Sequence, residues 1–197
     1  MDLSDDTFSM LTQRWRRLHP LFRLNSNTLH VSIPKNAHSW MLRSFQYEPA
    51  DQIHSSDRYL IILRDPIERW ITGIATYCGN SRFFKQEFHS NRQPNWQIFF
   101  SHTLIPDSHS VPQAYFLQNV PPQRRDIFTV SPNLSSEISQ YLNCEPALPS
   151  FNVAANSGYH RYIIHSLTQY LNSSPNLTSQ LKEIYCEDYA LLDTKDS

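Results

Sequence analysis

The sequence predicts an α/β fold with a central, mainly parallel sheet flanked by helices. Three observations lead there. Short apolar strands alternate with helical stretches along the chain. Arg58-Tyr-Leu-Ile-Ile-Leu-Arg64 is a near-continuous apolar run, the pattern of a strand buried on both faces. Leu29 to Met41 passes from a strand through Pro34-Lys35 and small polar residues into a helix.

In order, Ser4-Asp-Asp-Thr7 starts a helix whose apolar positions Phe8, Leu11, Trp15 and Leu18 recur at helical spacing. Arg14, Arg16 and Arg17 flank that stripe as a solvated face. Thr28–Ile33 is the first strand, Ser39 to about Phe45 a helix, and Pro49 stops its extension. Gln52–His54 is a short second strand. The 58–64 strand leads to Pro66, placed to open a helix with Ile67 to Tyr77 as its body. Residues 79–112 form a helical and loop insertion with Trp96 to Phe100 as its most apolar piece. Val111 to Leu117 starts a packed segment. Asp126–Val130 is a strand, about Asn133 to Leu142 a helix, Glu145 to Ser157 a loop, and two helices follow near 160–171 and 176–192.

The 197 residues, 40% hydrophobic and 13% aromatic, suit a single domain spanning 1–197 with one sizeable core. A formal net charge of −1 gives no bulk field toward nucleic acid or a membrane surface. Cys78, Cys144 and Cys186 lie far apart with no C-x-x-C pair, which points to reduced thiols in or near the core. No apolar run approaches the ~20 residues that span a bilayer, and the acidic start has no signal-peptide core, so a cytoplasmic location is expected.

The loop Pro34-Lys-Asn-Ala-His-Ser-Trp40 has the makings of an anion pocket. Backbone N–H groups at a helix start point outward unsatisfied, the helix dipole adds positive potential, and Lys35 adds a full charge. It is not a Walker A loop, because G-x-x-x-x-G-K-[ST] is absent and the chain holds 3 glycines. A second stretch, Leu63-Arg-Asp-Pro-Ile-Glu-Arg-Trp-Ile-Thr-Gly73, sets Arg64 at the exit of a buried strand and Thr72 one to two turns into the next helix. A guanidinium and a hydroxyl so placed can hold a second phosphate. An ordinary strand–turn–helix with surface charges gives the same pattern. Ligands of open parallel sheets bind beyond the carboxyl ends of the strands. The Pro34-Lys35 loop, His54 and the Arg64 turn all fall at predicted strand ends and are expected to converge there.

Together the two stretches resemble the sulfotransferases that use 3′-phosphoadenosine 5′-phosphosulfate. Their first loop reads P-K-T-G-T-T-W-L or P-K-T-A-S-T-S, against Pro34-Lys-Asn-Ala-His-Ser-Trp-Met41 here. Their second motif reads R-[DN]-P-x-[ED]-R-x-x-S, against Arg64-Asp-Pro-Ile-Glu-Arg-Trp-Ile-Thr72. Weaker echoes resemble the carbohydrate-type branch. Asp107-Ser-His-Ser-Val-Pro-Gln113 is similar to its D-x-H-x-x-P-Q segment, Leu148-Pro-Ser-Phe-Asn-Val153 to its L-P-x-x-N loop, and Ile184 to Leu192 to its terminal Y-x-x-D-[YF] helix. Asn36, Ala37 and His38 depart from Thr-Gly-Thr, and Thr72 replaces serine.

The resemblance implies a P-loop-NTPase-like three-layer sandwich and transfer of a sulfuryl group to an acceptor hydroxyl on a carbohydrate, with adenosine 3′,5′-bisphosphate as product and no metal. Lys35 would stabilise charge on the bridging oxygen, and Asn36, Ala37, His38, Ser39 and Trp40 would cradle the 5′-phosphate. Arg64 and Thr72 would hold the 3′-phosphate. Asn156, Ser157 and Arg161 would close over the nucleotide, or form an ordinary turn with Arg161 exposed. A histidine suits the base. His54 ranks first by position, or is a polar loop residue. His109 is next, or closes a turn. His38 follows, with Glu48 a remote further choice. His30, His160 and His165 read as structural. The aromatic segment 83–100 stacks on sugar rings or forms the core of the insertion. A non-catalytic sulfotransferase fold that binds a sulfated or phosphorylated ligand is the alternative. A kinase-like enzyme would need Walker residues and Mg²⁺ carboxylates, which are not in place.

Overall fold

Side chains that alternate along one buried strand divide the interior into two cores. The computed structural model describes residues 4–81, 94–148 and 158–194. Among them run α1 (Asp5–Leu18), β1 (Phe22–Asn25), β2 (Thr28–His30), α2 (His38–Ser44), β3 (Glu48–Pro49), β4 (Arg58–Leu63), α3 (Pro66–Asn80), α4 (Trp96–His102), β5 (Arg125–Thr129), α5 (Leu134–Leu142), α6 (Gly158–Asn172), α7 (Pro175–Ile184) and α8 (Cys186–Asp193). Short 3₁₀ turns cover Gln113–Leu117 and Pro122–Arg124.

Tyr59, Ile61 and Leu63 of β4 face a core shared with Leu29, Val31, Ile33, α3, α6 and α7. Leu60 and Ile62 face a second core with Trp40, Met41 and Phe45 on one side and Leu134 and Ile138 on the other. Helices therefore cover both faces, which is why this strand reads as a continuous apolar run. Each such side chain, taken out of water, contributes roughly 1.5–3 kcal/mol.

The sheet order is β3-β1-β2-β4-β5. β2, β4 and β5 are parallel, with Leu29 opposite Tyr59 and Ile61 opposite Ile127. β1 is antiparallel to both β2 and β3. The sheet is thus mixed, and the expectation of a mainly parallel sheet holds for its three central and edge strands on one side. The β1–β2 hairpin went unread because both strands are short; Asn25 Oδ1 accepts from the Asn27 amide and closes the turn (3.1 Å). The expected strand at Gln52–His54 is absent. That stretch is an irregular loop, pinned by Asp57, whose carboxylate pairs with Arg23 and accepts the His54 amide.

The helices follow their local signals. In α1, Ser4 accepts from the Thr7 amide, and Asp5 and Asp6 sit at the positive end. Arg16 is not part of a solvated face: it reaches the Phe116 carbonyl (2.8 Å) and fastens α1 to the 3₁₀ turn. In α3, Asp65 caps the Glu68 amide (2.8 Å) and Pro66 occupies the first turn. The expected single helix over 176–192 is two, α7 and α8, meeting at Tyr185. Cys78 is buried, whereas Cys144 and Cys186 are exposed, so only one thiol belongs to the core. Among the described residues no helix is long and apolar enough to cross a membrane.

His30 and His38 are buried. Burial, and then the neighbouring histidine charge, pushes His30 down to about 3 and His38, beside His19, down to about 4. Unfolded histidines take up protons near 6.5, so the unfolded chain binds more protons between that pH and about 4. Stability is therefore expected to fall as pH drops through this window. Urea midpoints measured across it should decline for the wild type and less steeply for His38→Gln; parallel profiles would contradict the assignment.

Candidate functional site

The parallel register brings the two informative loops together. The offset that sets His30 beside Leu60, carried forward, sets Pro34 beside Arg64 at the carboxyl ends of β2 and β4. Val31 continues the ladder by donating to the Leu60 carbonyl (3.1 Å). Beyond it the chain turns sharply: Lys35 has φ 69° and Ala37 φ 60°, both left-handed without being glycine. Such residues carry roughly 1–3 kcal/mol of strain each and persist where their surroundings over-determine them.

Four buried side chains do so. Asn36 donates to the Ile62 carbonyl (2.7 Å) and to Gln113 Oε1. Gln113 accepts from the Arg64 amide (3.0 Å) and returns a bond to the Arg64 carbonyl (2.9 Å). Asp188 accepts from the Gln113 and Ala114 amides (2.8 Å each). Arg69, fully buried, donates to the carbonyls of Pro34 (3.0 Å), Val111 (2.6 Å) and Ser108 (3.5 Å). The two loops are thereby one unit with the 107–113 segment.

That segment presents a histidine. Asp107 accepts from the His109 amide (2.9 Å) and from His109 Nδ1 (3.0 Å). The proton on Nδ1 is thus fixed, and Nε2 is left as the acceptor. Tyr185 donates to the Ser110 carbonyl. On α3, Gly73 leaves room for the turn, since a Cβ there would lie 2.5 Å from the His109 carbonyl oxygen.

Positive charge gathers around this unit. Lys35 is lowered by burial, with Asp107 opposing and Arg64 and Arg69 adding to the effect. Its ammonium has no hydrogen-bond partner among the described residues. Arg64 engages Glu68 through Nε (3.4 Å), and its terminal nitrogens stay free of such bonds among the described residues. His160, on the first turn of α6, is lowered by burial and then by Lys35, and its Nε2 lies 3.4 Å from Thr76 Oγ1.

The other sequence candidates distribute unevenly. Ser39 is exposed beside the loop. Asn36, His38 and Trp40 turn their side chains inward; Trp40 packs against Phe45 and donates to the Leu148 carbonyl (3.2 Å), so only backbone groups of these residues can face a ligand. Thr72 donates its hydroxyl to the Arg69 carbonyl (2.9 Å), leaving the oxygen as an acceptor. Arg161 is exposed on α6, and Asn156 and Ser157 lie outside the described residues.

His54 is not brought to the site. It precedes β4 at the amino end of the parallel strands, where its carbonyl accepts from Arg124 (2.5 Å), about 20 Å from Arg64 at ~3.3 Å per strand residue. The expectation failed because the stretch before it is not a strand, so His54 does not leave a carboxyl end. Glu48 is exposed on the edge strand β3. His38 is buried, with its ring nitrogens engaged by Ser32 and His19. Of the aromatic segment, Trp96, Phe99 and Phe100 pack with Trp70 and Tyr170 into the core; Phe83, Phe84 and Phe88 lie outside the described residues.

Sequence reasoning passed over Asp107, Arg69 and Gln113 as working residues, although all three stand in the quoted motifs. It also passed over Trp15 and His19. Trp15 meets His109 edge-on (5.5 Å between ring centres) and stacks on His19 (3.9 Å). No group of three or more His, Cys, Asp or Glu among the described residues is placed to hold a metal. No family model, no curated protein and no solved structure matches this chain.

Gly73→Ala is expected to lower stability by ~1–3 kcal/mol and to shift the His109 ring signals, since backbone must move to admit the methyl. Gly79→Ala, where nothing lies within 4 Å of the added carbon, should leave stability unchanged or slightly raised. Thermal melts and histidine NMR spectra of the two variants compare them directly.

Proposed function

We propose that this protein is a sulfotransferase that takes its sulfuryl group from 3′-phosphoadenosine 5′-phosphosulfate and passes it to a carbohydrate hydroxyl, on a P-loop-NTPase-like three-layer arrangement. The observation that carries the reading is the stitched pair of loops. The Lys35 turn and the Arg64 turn, matched separately to the family's two motifs, lie side by side and share Gln113.

The residues present fit such a donor. Lys35, Arg64, Arg69 and His109 gather around the two loops, with Asp107 and Glu68 as the carboxylates beside them, and the unpaired Lys35 ammonium and terminal nitrogens of Arg64 suit a polyanion. The left-handed turns at Lys35 and Ala37 allow successive amides to curl around an oxyanion. When bound, the donor supplies the sulfuryl group and a 5′-phosphate leaving group. Lys35 stabilises the negative charge that develops on the leaving oxygen. Arg64 pairs with the 3′-phosphate through its terminal nitrogens, and Thr72 joins it only by turning its hydroxyl proton away from the Arg69 carbonyl. His109 Nε2 takes the acceptor proton as the new S–O bond forms, and Asp107 holds its tautomer and offsets the imidazolium charge. Placement and charge, rather than covalent chemistry by the protein, do the work. His109 replaces His54 as the base in this reading.

With a labelled donor and a saccharide panel, Lys35→Ala should retain adenosine 3′,5′-bisphosphate binding and lose about 10²–10³-fold in kcat. His109→Ala should lose a comparable factor, and His54→Ala should behave as wild type. Arg64→Ala should collapse the preference for the 3′,5′-bisphosphate over adenosine 5′-monophosphate. Absence of both bisphosphate binding and transfer in the wild type would refute the reading; binding without transfer would favour a ligand-binding module.

A further inference from the structure

Lys35 is placed as a nucleophile as well as a charge. It is half-buried at a left-handed turn (φ 69°), and the residues on either side of it are fastened. The Pro34 carbonyl accepts from Arg69 (3.0 Å), and Asn36 donates to the Ile62 carbonyl (2.7 Å). The Lys35 amine itself takes part in no hydrogen bond or ion pair among the described residues.

The groups around it are committed elsewhere. Asp107 is the carboxylate whose charge reaches Lys35, and both of its oxygens are taken by His109, through the amide (2.9 Å) and Nδ1 (3.0 Å). Arg64 and Arg69 on α3 add positive charge, and His160 on α6 is a further basic group nearby. Arg69 spends its donors on the carbonyls of Pro34, Val111 and Ser108. Arg64 gives Nε to Glu68 (3.4 Å) and keeps its terminal nitrogens. Lys35 and Arg64 are also joined at close quarters. Gln113 Oε1 bonds both the Arg64 amide (3.0 Å) and the side chain of Asn36, the residue after Lys35.

A lysine in this setting is pushed toward its neutral form. Burial disfavours the ammonium first, and Arg64 and Arg69 do so against the pull of Asp107. A neutral amine is a nucleophile, and desolvation beside cations is a recurrent way of activating lysines. We propose that Lys35 is an acylation site, modified by an acyl phosphate whose phosphate is drawn by the Arg64 guanidinium while the amine attacks the acyl carbon. The N–C bond forms as the C–O bond to phosphate breaks. The phosphate leaves with that electron pair and takes up the amine's proton. The product is an uncharged amide, which burial favours for the reason that it disfavours the ammonium. Lys182, exposed in the last turn of α7, has neither advantage and supplies a comparison within the same chain. Acylation removes the charge that the proposed transfer uses on its leaving oxygen, and so switches that site off. This consequence rests on the sulfuryl-transfer reading; the modification itself does not.

Folded wild-type protein incubated with acetyl phosphate near pH 7.5 and followed by peptide mass spectrometry should acquire acetyl groups at Lys35 about tenfold faster than at Lys182. The preference should shrink with N-acetoxysuccinimide, an uncharged donor of the same acyl group, and drop about threefold with acetyl phosphate in Arg64→Ala. The Lys35 rate should level off at a lower pH than the Lys182 rate, as fits an amine whose pKa is lowered. Lys35 labelled no faster than Lys182 would overturn the inference, and so would an equally large preference with the uncharged donor. In the same assay adenosine 3′,5′-bisphosphate should protect Lys35 and not Lys182. Selective labelling that the bisphosphate leaves unchanged would count against the transfer reading and leave the acylation site standing.

Discussion

The Arg69 guanidinium is the constraint on which the site is built. It is fully buried on α3 and reaches the carbonyls of Pro34, Ser108 and Val111. A charge taken out of water carries a penalty of several kcal/mol, which carbonyl dipoles must offset. Burial lowers its pKa, while Tyr185, Asp188 and Asp107 act in the other direction. Phe116 lies beneath it, 5.8 Å from ring centre to guanidinium carbon. Removal of any of the three segments strands donors of a buried cation, so the loop after β2, the Asp107 turn and α3 are obliged to keep one arrangement. The strained backbone at Lys35 and Ala37 persists inside that arrangement.

The same arrangement separates two kinds of histidine. His30 and His38 sit where burial holds them neutral; His38 links Ser32 to His19, while neither ring nitrogen of His30 has a hydrogen-bond partner among the described residues. His109 sits beside Asp107 at the half-open edge, where an imidazolium can be compensated. Residue type does not distinguish them; the carboxylate and the depth do. The positive character around the two loops is local in the same way. It comes from Lys35, Arg64 and Arg69 drawn to one place, in a chain whose formal net charge is −1.

Much of this frame was legible in the residues. The apolar run of β4, the Asp65-Pro66 start of α3 and the Lys35 and Arg64 turns are written locally, over a few adjacent positions. The hairpin of β1 was not, because four residues give too short an alternation to stand out. His54 was misplaced because a sequence does not tell the entry of a strand from its exit unless the preceding element is read correctly. Trp15 was legible as an apolar helix position, but periodicity does not say what covers such a ring. Gln113 and Asp188 join across 75 positions, a contact that only the folded chain reveals. Arg69, written among charged neighbours, reads as surface and is interior.

Under the proposed sulfuryl transfer, Gly73 would have a consequence for how substrates could vary. With no side chain there, the Asp107–His109 turn rests directly on the backbone of α3, the helix that also begins at the Arg64 turn and carries Arg69. The spacing between the Asp107–His109 turn and Arg69 is therefore set by one helix. In that proposal, larger or smaller acceptors would not be accommodated by sliding His109. Adjustment falls to the opposite wall, where α1 is held by Arg16 on the Phe116 carbonyl and by the Trp15 indole on Ser32. Evolution toward new acceptors would then leave the middle of the chain fixed and work on its first twenty or so residues.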